Sequence, residues 1–314
     1  MDVATEARAR AGPGATAAVT KRRRARSSLA GYGFLAPWLI GFFGLTLGPA
    51  VLSLYLSLTR FDLMGAPRFI GLGNYVRIAT SDEKFWAAAQ VTLTYVALAV
   101  PLKLVFALAV AFLLNKGMRG LPIYRALFYL PSLLGASVAI AVLWRQIFAS
   151  DGLFNDFLAL FGIQGIAWIA DPRTALYTLV VLSVWQFGSP MIIFMAGLRQ
   201  IPHDLYEAAA IDGARPFRQF LRITLPMLTP VIFFNAIVQM IDAFKAFTPA
   251  FIISDGSGGP INSTLFYTLY LFQEAFNFFR MGYASALAWV LVVVIASFTA
   301  ASFAASRYWV HYEE

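Results

Sequence analysis

The chain has 314 residues, 60% of them hydrophobic and 13% charged, which leaves too little polar surface to clothe a water-soluble protein of this length. It contains no cysteine and only two histidines, His203 and His311, far apart, which excludes disulfides, thiolate metal sites and cysteine nucleophiles and argues against a histidine metal cluster. The net charge of +8 is expected to report membrane topology and not nucleic-acid binding.

Residues 1–30 are rich in Ala, Arg and Gly and carry Lys21, Arg22, Arg23, Arg24 and Arg26, so they read as a disordered basic cytoplasmic tail. Residues 31–314 read as one transmembrane domain. The apolar run from Gly31 to Leu58 is too long for a signal peptide and lacks a small-residue cleavage site, so it is the first anchor. Further apolar runs at 87–114, 123–148, 174–198, 227–251 and 283–306 bring the number to six. Each is long enough for the roughly 20 apolar helical residues that cross a bilayer core. Pro37, Pro49, Pro101, Pro131 and Pro190 fit such helices, because neighbouring helices and side chains satisfy the backbone groups they release.

The expected fold class is therefore all-α: a polytopic membrane protein of about six transmembrane helices. An even number of spans puts both termini on one side with the loops near 115–125 and 199–226. Fifteen of the 24 Lys and Arg residues lie there, which makes that side cytoplasmic. Lys103 and Lys245 fall within spans. Lys103, close to Pro101, is open to three readings: snorkelling, pairing with an acid, or marking a partner interface.

The loop at 199–226 has a mechanical logic. Asp204 is expected to cap a short helix through Leu205, Tyr206 and the alanines, whose small side chains permit close approach by another protein. Gly213 ends it, because glycine accepts the left-handed conformation of a helix C-terminus. Pro216 suits the first turn of a second helix. Each acidic residue alone reads as a solvated charge. Taken together, Glu207-Ala208-Ala209, Gly213, Ile223 and Leu225-Pro226 resemble, at every defined position, the EAA loop of binding-protein-dependent ABC importer permeases.

The segments Phe69-Ile70-Gly71-Leu72-Gly73-Asn74-Tyr75, Ile201 to Tyr206, Gly258-Gly259-Pro260 and Gly282 to Ala286 extend the resemblance to the carbohydrate-type branch, which includes maltose and glycerol-3-phosphate permeases. The resemblance implies that Glu207, Ala208, Ala209, Asp212, Gly213 and Ala214 form a coupling helix docking on an ATPase subunit. It implies a second permease subunit, a heterodimer being expected, two ATPase subunits, an extracytoplasmic solute-binding protein and the bacterial cytoplasmic (inner) membrane. ATP and Mg would sit on the ATPase subunits. This chain, with no phosphate-cradling Gly-x-x-x-x-Gly-Lys-Ser/Thr loop, would bind no cofactor and catalyse no reaction.

Polar groups inside spans are costly and merit a functional hypothesis. Asn235, Gln239 and Asp242 recur at helical spacing on one face of the fifth span, with Lys245 three residues on. By resemblance this part of the bundle contacts the solute, and Ser132, Gln186 and Ser189 join it as pathway candidates, with Trp185 or Phe187 available to pack on a sugar ring. Asp242 and Lys245 could instead pair along their own helix. The expected solute is a di- or oligosaccharide, with glycerol-3-phosphate or a related diester as the alternative. A secondary transporter driven by an ion gradient through Asp242 and Lys245 is the alternative mechanism.

Overall fold

A computed structural model describes residues 34–310 except 116, 118, 119 and 136. The tail expected at 1–30 lies outside the described residues. The chain divides into two compact units after Leu56. In the first, helix α1 (Phe34–Ser57) passes through a π-helical turn at Phe42–Leu47, where the Gly48 N–H reaches the Phe43 carbonyl. None of the most apolar stretch of α1 is buried, as expected for a helix whose neighbours are lipid or another subunit.

The second unit opens with a two-stranded antiparallel ribbon, β1 (Thr59–Arg60) against β2 (Arg68–Phe69), with Thr59 opposite Phe69. Helix α2 (Gly73–Thr80) follows, held by Asn74, whose Nδ2 donates to the Ser57 and Thr59 carbonyls at 2.8 and 2.9 Å. Helix α3 (Glu83–Leu114) is continuous through Pro101. It buries Ala88, Ala99, Ala107 and Ala111, small side chains that let other helices approach its backbone.

The third apolar run folds as α4 (Leu121–Leu134) and α5 (Val138–Ile147), bent by 98°. The reason is local: Ser137 adopts an extended conformation and its side chain accepts the Ile140 N–H at 3.3 Å, starting a new helix. After α6 (Leu153–Ala159), the fourth run forms α7 (Ala175–Trp185) and α8 (Gly188–Leu198), bent by 42°. The loop that follows contains α9 (His203–Ile211), α10 (Pro216–Gln219) and α11 (Leu225–Met227).

Next, α12 (Thr229–Phe244) and α13 (Thr248–Ile253) together make a 25-residue span. Short α14 (Tyr267–Phe272) leads to the last span, α15 (Met281–Ser306). Four described stretches are long and apolar enough to cross a membrane, and six if each bent pair is one span. The polytopic all-α class is thus the one the sequence indicates.

Helix α3 is the spine, with α7, α8, α12 and α14 packed on it. Two clusters form the core. One gathers Tyr95, Leu179, Leu182, Phe266 and Tyr270, and the other Phe187, Met191, Phe194 and Leu228. The first is pinned by polar bonds: Thr92 accepts the Tyr267 N–H at 2.8 Å, and the Tyr267 hydroxyl donates to the Leu287 carbonyl at 2.7 Å. At the head of α3, Asp82 accepts the Phe85 N–H at 3.0 Å, the Tyr270 hydroxyl at 2.5 Å and the Tyr283 hydroxyl.

Candidate functional site

A cavity of about 530 Å³ opens between α3, α4, α7, α8 and α12. Ser132, Gln186, Ser189, Gln239 and Asp242 all line it, so five of the six expected pathway residues meet at one place. Asn235 does not. It is fully buried, and neither atom of its amide has a hydrogen-bond partner among the described residues. Residues 235, 239 and 242 span two helical turns, and the lining contributed by α12 begins at Val238, short of the turn that holds Asn235.

Several lining groups also hold the backbone. The Ser132 hydroxyl donates to the Gln186 carbonyl at 2.9 Å and accepts the Ser189 N–H at 3.1 Å. The Gln186 amide donates to the Gly135 carbonyl at 3.1 Å. These bonds satisfy groups released where α7 breaks into α8, the requirement that irregular backbone must meet inside a membrane. The break is tight: a Cβ on Gly188 would lie 2.5 Å from the Phe128 carbonyl oxygen, and one on Gly135 would lie 2.2 Å from Gln186 Cδ.

The aromatic wall is not the one the sequence suggests. Phe187 is buried against Phe106 and Phe128, and Trp185 packs on Trp144, because both rings turn away from the cavity at the α7–α8 break. Tyr95 and Phe247 line the cavity instead. Asp242 and Lys245 pair along their helix at 3.5 Å, and Lys103 joins them in the lining from α3. The eight-residue spacing of Tyr95 and Lys103 was the available signal that one face of α3 meets this space.

The loop between α8 and α12 folds as two short helices around a sharp turn. Helix α9 begins at His203, so Asp204 sits in its first turn and Pro202 takes the cap position; Asp204 is not the cap. Proline there ends the extended approach, and the carboxylate still complements the positive end of the helix. At the other end Gly213 has φ +74°, its N–H donates to the Ala210 carbonyl at 3.0 Å, and the Ala214 N–H donates to the Ala209 carbonyl at 2.8 Å. This is a Schellman closure, which requires the left-handed residue that glycine supplies. Pro216 occupies the first turn of α10.

Glu207, Ala208, Asp212 and Gly213 are exposed, Ala209 and Ala214 half-buried. Glu207 pairs with His203 at 3.0 Å. The loop is braced from beneath by a hydroxyl pair, Tyr206 with Thr224 at 2.9 Å, and by Phe220 edge-on to Phe112. Beside the expected residues the structure adds Ile211 and Phe217, 87% and 74% exposed. Two large apolar side chains held outward on a braced loop form a surface suited to a protein partner.

A polytopic helical bundle with a polar cavity between its spans and a braced helical loop on one end has the form of a transporter's membrane subunit. Residues 78–309 match the family of binding-protein-dependent transport system inner membrane components, and the chain belongs to that family. It is 54% identical over 96% of its length to the probable ABC transporter permease protein YesP of Bacillus subtilis, covering 98% of that protein. It is 35% identical to the lactose transport system permease protein LacF of Rhizobium radiobacter, over 88% of this chain and 94% of the relative. The trehalose/maltose transport system permease protein MalF of Thermococcus litoralis is 32% identical, over 90% and 95%. Among solved structures, a bacterial alginate ABC transporter in complex with its alginate pentasaccharide-bound periplasmic protein shares the fold, with TM-score 0.78 at 20% identity over 91% of this chain and 96% of that one. The chain is a sugar ABC transporter family permease, as the loop and its flanking segments suggest.

Proposed function

We propose that this chain is one of two permease subunits of an ATP-driven importer, admitting a di- or oligosaccharide through the cavity lined by Ser132, Gln186, Ser189, Gln239 and Asp242. The observation that carries the reading is the braced loop with its closed turn at Gly213 and its outward Ile211 and Phe217. Closure of two ATPase subunits pushes on Glu207, Ala208, Ala209, Asp212, Gly213 and Ala214. The push passes through the Tyr206–Thr224 brace into α12, and through the aromatic pair of Phe220 and Phe112 into α3. Both helices line the cavity, so movement of the loop alters the path.

The membrane is the bacterial inner membrane, the loop is cytoplasmic, and a solute-binding protein delivers the sugar from the other side. ATP and Mg are held by the ATPase subunits, and this chain performs no covalent chemistry. The Asp242–Lys245 pair inside the cavity favours a second reading, an ion-gradient carrier in which that pair takes the coupling ion.

Uptake of labelled sugars in cells lacking the chain, restored with wild type or with Gly213→Asp, tests the proposal. A Cβ at Gly213 meets nothing within 4 Å, so the variant leaves the packing intact and strains only the turn and the docking surface. Wild type restores ATP-dependent uptake and the variant inserts without restoring it. Uptake that survives ATP depletion while an ion gradient persists would sink the proposal in favour of the carrier.

A further inference from the structure

We infer that the imported sugar carries an anionic group, a carboxylate or a phosphate, and that Lys103 and Lys245 receive it in the cavity; the inference rests on the import reading above. The cavity lining brings together two ammonium groups and one carboxylate: Lys103 from α3, and Lys245 and Asp242 from the end of α12. Asp242 is already engaged by Lys245 at 3.5 Å. Lys103 lies within electrostatic range of Asp242, but no carboxylate among the described residues comes within ion-pair distance of its ammonium. Inside a membrane-spanning bundle a charge is retained where it faces a partner or a solute.

A neutral sugar entering this space leaves the surplus positive charge uncompensated, because its hydroxyls bring no opposite charge. An anionic sugar neutralises it with charge-assisted hydrogen bonds, which are shorter and stronger than neutral ones. The rest of the cavity suits the remainder of such a solute. Gln239 offers both donor and acceptor to hydroxyls, and Tyr95 and Phe247 supply apolar faces for a ring. A cavity of about 530 Å³ falls within the range of small-molecule sites. Lysine suits the task. Its ammonium is a point charge on a flexible stem, and what an anion needs from it is the positive charge, which arginine also carries.

The test uses cells that lack this chain and keep its partner subunits and binding protein. Uptake is measured for three labelled solutes: a disaccharide containing a uronic acid, a neutral disaccharide, and glycerol phosphate. Wild type is expected to restore ATP-dependent uptake of at least one anion, and which one distinguishes carboxylate from phosphate. Lys103→Gln is expected to lower that uptake roughly tenfold or more at limiting solute, with Lys103→Arg recovering most of it. Lys245→Gln, at a side chain 58% exposed, is expected to lower it as well.

If wild type restores no anion, the inference is overturned, and ATP-dependent uptake of the neutral sugar then leaves the import reading standing. If an anion is carried but both glutamine variants carry it as well as wild type, the lysines do not receive it and the inference is overturned. Restored uptake that survives ATP depletion overturns the import reading itself.

Discussion

Asp82 shows how one carboxylate can tie three helices. Burial pushes its carboxyl up, but the hydroxyls of Tyr270 and Tyr283, the Phe85 N–H and the nearby Arg77 outweigh that and hold it below the ordinary carboxylate value. A depressed acid contributes stability that is present above its unfolded value and lost as pH falls through the folded one. Asp82→Asn is expected to destabilise the detergent-solubilised protein by about 1–3 kcal/mol near neutral pH, since the charge is lost and the one remaining oxygen can accept from the two tyrosine hydroxyls or from the Phe85 N–H but not from all three. Melting temperatures should show the gap between wild type and variant steady above about pH 5 and closing below about pH 4. A gap that widens on acidification would contradict the account.

Gly188 gives a second residue-scale expectation. Its absent side chain lets α8 meet the α4 backbone, where a Cβ would lie 2.7 Å from Tyr129 Cα. Gly188→Ala is expected to cost about 1–3 kcal/mol through forced separation of the two helices. Thermal unfolding should register it, with Gly213→Ala, which meets no neighbour, losing less.

At the scale of elements, the loop between α8 and α12 was legible because its constraints are local. A glycine at the turn and a proline at the first position of α10 announce themselves in sequence, and both occur where expected. Asp204 is not the cap because Pro202 takes that position two residues earlier in the chain. What keeps the loop upright was not legible: the Tyr206–Thr224 hydroxyl pair joins residues 18 apart whose meeting depends on how the loop folds back. Tyr206→Phe removes that brace and leaves the buried Thr224 hydroxyl without its partner. The expected outcome is solute-stimulated ATP hydrolysis lowered severalfold in reconstituted complexes, with insertion unchanged. Full stimulation would show that the brace does not transmit the push.

For the whole molecule, the number and order of spans were legible because bilayer thickness fixes helix length. The milder bend between α7 and α8 was not, since it follows from contacts such as Ser132 with Gln186 and Gly188 with Phe128, whereas the sharp bend between α4 and α5 rests on the local cap at Ser137. The cavity divides the same way. Gln239 and Asp242 share a helix face that periodicity reveals, but the arrival of Lys103 from α3 is a fact of packing between distant segments. Trp185 and Phe187 were misplaced for the same reason: periodicity does not say which side of a broken helix faces the cavity.

The central claim is that the loop around Gly213 meets an ATPase subunit, and the chain's lack of cysteine makes it directly testable. Ile211→Cys places a single thiol on a side chain that is 87% exposed. In the assembled complex, a short thiol-reactive cross-linker should join this position to the ATPase subunit, with the yield changing when ATP is added. A complex that assembles and transports, yet gives no cross-link to the ATPase from this position, would contradict the account.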